Sequence, residues 1–297
     1  MVKLQPDTHS QISSPPLVRR YPTPLRYPGG KYRLGSFFAE VVSGNGLLGG
    51  QYIEPFAGGA GVALYLLQRG LVESIYLNDF DRAIYAFWFA VTRHNRALCR
   101  MVDRTPITVS EWDRQKDVQR RKHDAPLLEL GFSTLFLNRT NRSGILRAGI
   151  IGGRHQSGKW RLDARFDRCR LVERIRALRP FAHRISIASM DAVDFLSNIA
   201  VQRRKKRLVY LDPPYFAKGP DLYLNKYSPA DHSSLATFIK EKLNCAWIMT
   251  YDDVPKVRRL YRGYRKRRYR LDYSADTRRE GRELMIFSPQ LEAPRLF

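Results

Sequence analysis

An apolar run of strand length, Leu208-Val209-Tyr210-Leu211, ends in Asp212-Pro213-Pro214-Tyr215. A strand that stops this way presents a carboxylate, two peptide carbonyls and a phenol at one sheet edge. That set suits a flat ring bearing an amine. The exocyclic amine of adenine or cytosine is a weak nucleophile, because its lone pair is delocalised into the ring. It must pyramidalise before it attacks. Asp212 can accept one of its N–H bonds and the Pro213 carbonyl the other, and both acceptors stabilise the positive charge that grows on nitrogen. Pro213 and Pro214 fix φ and remove competing N–H donors. Tyr215 can stack on the ring face. The electrophile must arrive activated, as in a methyl sulfonium, and neither a metal nor a covalent intermediate is required. The plain alternative for these four residues is a strand-ending turn.

Three further stretches carry residues of chemical interest. Tyr27-Pro28-Gly29-Gly30-Lys31 places a flexible glycine pair and a lysine at the opening of an apolar-periodic helix, Leu34 to Val42. By itself it also reads as a turn before a helix. Gln51 to Leu67 reads as a short strand, a glycine-rich turn and a helix, with Glu54-Pro55-Phe56-Ala57-Gly58-Gly59-Ala60-Gly61 at the turn. The turn lacks a GxxxxGK[ST] pattern, which excludes a phosphate-cradling P-loop. Glu54 argues against pyrophosphate there and for a ligand with ammonium and adenosine groups. Ser74 to Asp81 reads as a second strand ending in acids, and Asp79 falls 79 − 54 = 25 residues after Glu54. An acid at that place in a doubly wound fold accepts hydrogen bonds from a ribose. Asp81 reads instead as the N-cap of a helix from Arg82 to Val91. Asp191, after a strand at Ile185 to Ala188, fits a cap and an adenine contact equally.

The elements around these residues follow a strand–helix rhythm that breaks between about Thr92 and Arg170. From Leu137 to Arg176 there are 11 basic residues against three acids, with Asn138, Arg139, Asn141, Arg142, Arg154 and Lys159 among glycines. Such side chains meet base edges and phosphates. A solvated basic loop is the bland alternative. The rhythm then resumes with a helix from Cys169 to Leu178 and continues through Leu208–Tyr215. Residues 216–227 read as a mobile loop over the site. A helix at Asp231–Lys242, a strand at Ala246–Tyr251 and two C-terminal strands, Tyr264–Tyr273 and Glu283–Ser288, complete the pattern. The stretch 265–270 reads as a basic edge strand open to phosphate contact. Residues 1–24 carry five prolines and no apolar periodicity, and are expected to form a flexible arm.

Composition bounds the class. Lys and Arg exceed Asp and Glu by 52 − 28 = 24 in 297 residues, which favours a polyanionic partner, nucleic acid ahead of an anionic membrane. The longest uncharged apolar run, Ala83 to Val91, falls far short of the ~20 residues a membrane helix needs. Cys99, Cys169 and Cys245 show neither zinc spacing nor a disulfide framework, and suit a reduced, cytoplasmic protein.

Taken together and in order, Tyr27–Lys31, Glu54–Gly61 and Asp212–Tyr215, with the long insert bearing Asn138–Gly144 between the last two, resemble the Dam-like family of DNA adenine-N6 methyltransferases. The likeness runs from about Leu25 to Ser288. It implies an α/β, Rossmann-like methyltransferase sheet of seven strands, formed by residues 25–91 and 171–297. It implies a mainly helical target-recognition insert at 92–170, double-stranded DNA as partner, and a target adenine turned out of the duplex. It implies S-adenosyl-L-methionine (SAM) as methyl donor, with no metal. The places matching SAM contacts are Tyr27, Gly30, Lys31, Glu54, Phe56, Ala57, Gly58, Gly59, Gly61, Asp79, Asp191 and Asp212. Asp212 through Tyr215 match the residues that hold the target amine. A companion restriction endonuclease is a partner for some members. The chain departs from the family in Tyr27-Pro28, where Trp-Ala is common, and in its insert, which differs from that of GATC-modifying members. Cytosine-N4 or RNA base methylation, or a silent DNA-binding relative, are the competing expectations; cytosine-N4 enzymes more often carry Ser where this chain has Asp212.

Overall fold

Three strands, Gly50–Glu54, Arg207–Leu211 and Ala246–Asp252, are short and buried along their whole length, which is the signature of a parallel sheet covered by helices on each side. A computed structural model describes residues 23–26, 31–200, 206–216, 227–272, 280–292 and 294. Its sheet has seven strands: β1 (Gly50–Glu54), β2 (Val72–Asn78), β3 (Ile185–Ala188), β4 (Arg207–Leu211), β5 (Ala246–Asp252), β6 (Arg265–Asp272) and β7 (Glu280–Phe287). Their spatial order is β3-β2-β1-β4-β5-β7-β6. The first five run parallel, and β7 lies antiparallel between β5 and β6. After β1 the chain builds outward to β2 and β3, then crosses back to place β4 on the other side of β1. That reversal opens a crevice at the carboxyl ends of β1 and β4, where open α/β sheets bind ligands.

Side chains alternate across the strands. Tyr52, Leu208, Tyr210 and Ile248 join the core on one face with Phe37, Phe38, Phe87 and Trp88. Ile53, Val209, Leu211, Trp247 and Met249 join the core on the other. The first face is covered by α1 (Gly35–Gly44), α2 (Gly61–Gln68) and α3 (Arg82–Arg93). The second is covered by α8 (Ala192–Ala200), α9 (Pro229–Glu241) and α10 (Pro255–Leu260).

The insert is helical only in its first part: α4 (Asn95–Arg104), α5 (Val109–Arg120) and α6 (Leu127–Thr140). From Asn141 to Asp167 it is turns and one 3-10 turn, and α7 (Arg168–Ala177) then returns to the sheet. It is not a separate body. Leu98, Trp112, Phe132, Phe136, Leu162 and Phe166 belong to the same core as α1 to α3. The close crossing of α6 on α3 explains Gly131, where a Cβ would meet the Ala86 carbonyl oxygen at 2.4 Å.

Pro24, at the end of the expected arm, and Leu25 are buried. The rest of the expected arm, residues 1–22, the motif residues Tyr27 to Gly30, and residues 217–226 of the expected loop lie outside the described residues.

Candidate active site

The crevice gathers acids from strand ends. Asp212 follows β4, with its side chain 22% exposed. Two donors reach its Oδ1: the Thr250 hydroxyl at 2.6 Å and the Lys31 ammonium at 3.2 Å. Tyr210 shares a hydrogen bond of 2.8 Å with Thr250 behind it. Among the described residues no partner is recorded for Oδ2, the oxygen left for a ligand. Burial pushes the Asp212 carboxyl above the usual range, and the nearby Glu283 charge adds to this. Lys31 and Thr250 work against that rise.

Lys31 opens the chain's first described helical turn and is itself buried. Its ammonium donates to the Tyr215 hydroxyl at 2.8 Å and to Glu283 Oε2 at 3.1 Å. Glu283, on β7, also accepts from the hydroxyls of Tyr215 and Tyr269. One lysine thus stands between the half-buried Asp212 and the buried Glu283, and two phenols complete the shell. Tyr215 is only 6% exposed, and Lys31 lies 5.3 Å from its ring centroid. This corrects the expectation of a free stacking face: Tyr215 turns inward and orients Lys31. Pro213 and Pro214 are buried beside it.

Glu54 ends β1 and is 3% exposed. Its Oε1 accepts from the Ala63 N–H of α2 at 3.2 Å. No basic side chain among the described residues forms a recorded ion pair with it. Burial pushes its carboxyl up to about 8, with the Tyr52 hydroxyl and the Ala63 N–H opposing and the Asp212 charge adding. Asp79 follows β2 and receives the Gly58 N–H at 3.0 Å and the Asp81 N–H at 2.9 Å. Burial pushes Asp79 up to about 7, and these two N–H groups pull against it. Asp81 caps α3 through the Ala83 N–H at 3.0 Å, as its position suggested. Asp191 is exposed and its Oδ1 caps α8, accepting from the Val193 N–H at 2.8 Å; of its two sequence alternatives, the cap is the contact present.

The glycine-rich turn divides by role. Gly58 adopts φ 43°, a left-handed value that glycine permits, and its carbonyl is held by the Trp88 indole N–H at 2.9 Å. Ala57 is tied to the Asn78 carbonyl at 2.8 Å, and Gly59 continues the turn. Gly61 is required by packing: a Cβ would sit 2.9 Å from Tyr32 Cβ and 3.2 Å from its backbone. Phe56 is half-buried, its ring 5.6 Å from that of Tyr227.

Sequence reasoning missed several contributors. Asn78 is buried and ties together the turns after β1 and β3, donating to the carbonyls of Pro55 and Met190, each at 3.0 Å, and accepting from the Met190 N–H at 2.9 Å. Phe80, 64% exposed, offers an apolar face directly after Asp79. Glu283 and Thr250 were missed because they lie on strands away from the motifs: Thr250 interrupts the apolar run of β5, and Glu283 is the last polar residue before the apolar run of β7. That break in the apolar pattern was the available signal.

A family model for D12 class N6 adenine-specific DNA methyltransferases matches residues 27–274. The chain belongs to that family. It is therefore an adenine-specific DNA methyltransferase. Two solved structures of the rRNA methyltransferase aviRa from Streptomyces viridochromogenes, at 2.4 Å and 1.5 Å, are similar at 13% identity, each with a TM-score of 0.38. They cover 88% of this chain and 85% and 86% of theirs. No curated protein matches the chain.

As a D12-class methyltransferase the chain needs a methyl donor, and the family implies SAM. The crevice fits it. Glu54 is a buried carboxylate without a recorded cationic side-chain partner among the described residues, as an ammonium would require, and Asp79 and the Gly58 turn stand on the neighbouring strand end. Tyr27 and Gly30 lie outside the described residues.

The expected DNA contacts separate into two groups. Asn138, Arg139 and Asn141 are buried, which corrects their assignment to an open recognition loop. Asn138 clasps the Arg26 N–H at 2.7 Å and the carbonyls of Arg26 and Gly144 at 2.6 and 2.8 Å. Asn141 accepts from the Trp112 indole at 2.6 Å and donates to the carbonyls of Ile145 and Leu146. Arg139 donates to the Pro24 carbonyl. Buried amides recruit every available partner because an unpaired one is costly. Arg142, Arg154 and Lys159 are exposed; Arg154 is paired with Asp113, both contacts at 2.8 Å. Lys159 and Arg165 flank the exposed Trp160 ring at 5.9 and 5.5 Å.

Proposed function

We propose that this enzyme transfers a methyl group from SAM to N6 of an adenine turned out of duplex DNA into the crevice between β1 and β4. The observation that carries this reading is Asp212: a carboxylate at the end of β4 that, among the described residues, takes both its donors on Oδ1 and none on Oδ2. SAM, when bound, supplies a methyl group already activated as a sulfonium. Everything else is done by the chain. Oδ2 accepts one N–H of the amine and the Pro213 carbonyl the other, which favours the pyramidal nitrogen and the charge that develops there. Lys31 keeps Asp212 ionised for that task. Burial, acting in the opposite direction, makes the same carboxylate a competent acceptor for the proton N6 sheds after transfer. Glu54 receives the ammonium end of the donor and Asp79 its ribose hydroxyls. Arg142 and Lys159 meet the DNA from the insert.

The test is methyl transfer to DNA from a methylation-free host, with modified-base detection. Wild-type enzyme is expected to produce N6-methyladenine at defined sites, and Asp212→Ala to lower the single-turnover rate by about 10² to 10³ or more. Duplex affinity should stay within about threefold of wild type, less than the 1.4 kcal/mol of a tenfold change. Methylated cytosine or methylated RNA as the product, or a wild-type rate in Asp212→Ala, would overturn the reading.

A further inference from the structure

At the carboxyl edge of the sheet, next to the catalytic strand ends, two guanidiniums share one carboxylate. Asp253 follows β5, and its side chain is 7% exposed. Arg258, from α10, grips it with Nε on Oδ1 at 2.6 Å and Nη2 on Oδ2 at 2.7 Å. Arg268, from β6, adds Nε on Oδ2 at 2.8 Å. The two arginine side chains nevertheless stay 43% and 59% exposed.

Register fixes where this cluster lies. Arg268 pairs with Leu284 across the β6–β7 ladder, and the next residue, Tyr269, pairs with Glu283. The cluster is thus one step along β6 from the Tyr269–Glu283–Lys31–Asp212 chain of contacts, on the other face of the sheet, where Leu284 joins the second core. On its other side, Asp252 accepts the Phe216 N–H at 2.9 Å, one residue past Tyr215. Lys256 sits 5.1 Å from the Phe216 ring. Residues 254–271 hold nine Lys and Arg and no Asp or Glu.

The chemistry follows from these contacts. Two guanidiniums on one carboxylate leave a net positive charge. Among the described residues, Nη1 of Arg258 and both Nη atoms of Arg268 carry no recorded bond. An arginine whose fork is already oriented loses less freedom when it binds a phosphodiester, and the fork matches two phosphate oxygens at once.

We propose that Arg258 and Arg268, held by Asp253, form a clamp for a backbone phosphate of duplex DNA beside the target nucleotide, a sequence-independent contact outside the 92–170 insert. The inference rests on the methyl-transfer reading above for the substrate strand.

A clip that merely fastened α10 to β6 would affect stability but not the salt dependence of DNA binding. The experiment therefore measures anisotropy of a labelled duplex of about 24 base pairs with the full chain, from about 50 to 300 mM KCl. Arg258→Ala/Arg268→Ala is expected to flatten the slope of log K against log salt by about 0.9 per phosphate lost, and to weaken binding about three- to tenfold at low salt. Arg268→Gln, altering the more exposed arginine alone, should show the same change at smaller size if the double variant does not fold. Arg258→Lys/Arg268→Lys should keep most of the slope, because the charge remains. An unchanged slope overturns the clamp, whether or not affinity or thermal stability falls. Methylation by the wild-type chain is scored in parallel. Absence of transfer to DNA would sink the proposed function, whereas transfer with an unchanged slope in the variants would sink the clamp alone.

Discussion

Replacing Glu54 by Gln should remove a specific part of the pH dependence of SAM binding. Burial holds the Glu54 carboxyl at about 8. Against an ammonium it must be ionised, so binding releases its proton, and affinity falls as pH drops. An α-amino group has a pKa of about 7.8, so the ligand is fully charged in acid and half charged near neutrality's upper side. At pH 8 about half of Glu54 and two-fifths of the amine are in the required form; at pH 6 about one Glu54 in a hundred is, with the amine fully charged. The product of these fractions falls about twenty-fold, which is about 1.8 kcal/mol of binding free energy. Titration calorimetry of SAM into the full chain without DNA, at pH 6, 7 and 8, measures this directly. Repeating it in buffers of different ionisation enthalpy counts the released protons. Asp79, which burial holds at about 7, contributes its own acid limb to both proteins. The difference between the wild-type and Glu54→Gln curves isolates Glu54. Parallel curves would refute the assignment of Glu54 to the ammonium, and would leave it as the anchor of the Ala63 N–H.

Two further outcomes follow from the same geometry. Glu283→Ala leaves the Lys31 ammonium and the hydroxyls of Tyr215 and Tyr269 without their shared acceptor, so thermal or urea denaturation should register a loss of about 3–5 kcal/mol. Glu283→Gln should be milder in stability, and should shift the acid limb of the methyl-transfer rate downward in pH, because one charge that raises the Asp212 carboxyl is gone. The insert separates two kinds of asparagine and arginine. Asn141→Ala should lower stability by about 1–3 kcal/mol by stranding the Trp112 indole N–H, whereas Arg142→Ala should leave stability within about 0.5 kcal/mol and weaken DNA binding. The pair is checked by denaturation and duplex anisotropy on the same preparations.

Much of the catalytic frame could be read from local order. Asp212 stops a buried strand and Glu54 stops another, each followed by residues that turn the chain. Strand ends of a parallel sheet share one edge, so the two acids were bound to meet. Asp81 announced its cap by preceding a helix. The basic insert was equally legible as composition. What it does with its side chains was not: Asn138 and Asn141 carry the residue types of a base reader, yet spend their hydrogen bonds on Arg26, Gly144, Trp112 and the 145–146 carbonyls. Residue type states what a side chain can bond, while burial decides with whom.

Sequence by itself therefore determined the strand–helix rhythm, the acids at strand ends, the DPPY element and the excess of positive charge, because each is a pattern within a few residues or a sum over all of them. Tertiary structure alone decided that Lys31 would stand between Asp212 and Glu283, 252 positions away in the case of Glu283. That contact depends on β7 inserting antiparallel between β5 and β6, which brings Glu283 to the carboxyl edge opposite Asp252. The same strand order sets Arg268 beside Arg258 on Asp253. No local period encodes such a meeting, because it is fixed by which strand ends share an edge and by the need of each buried charge for a partner.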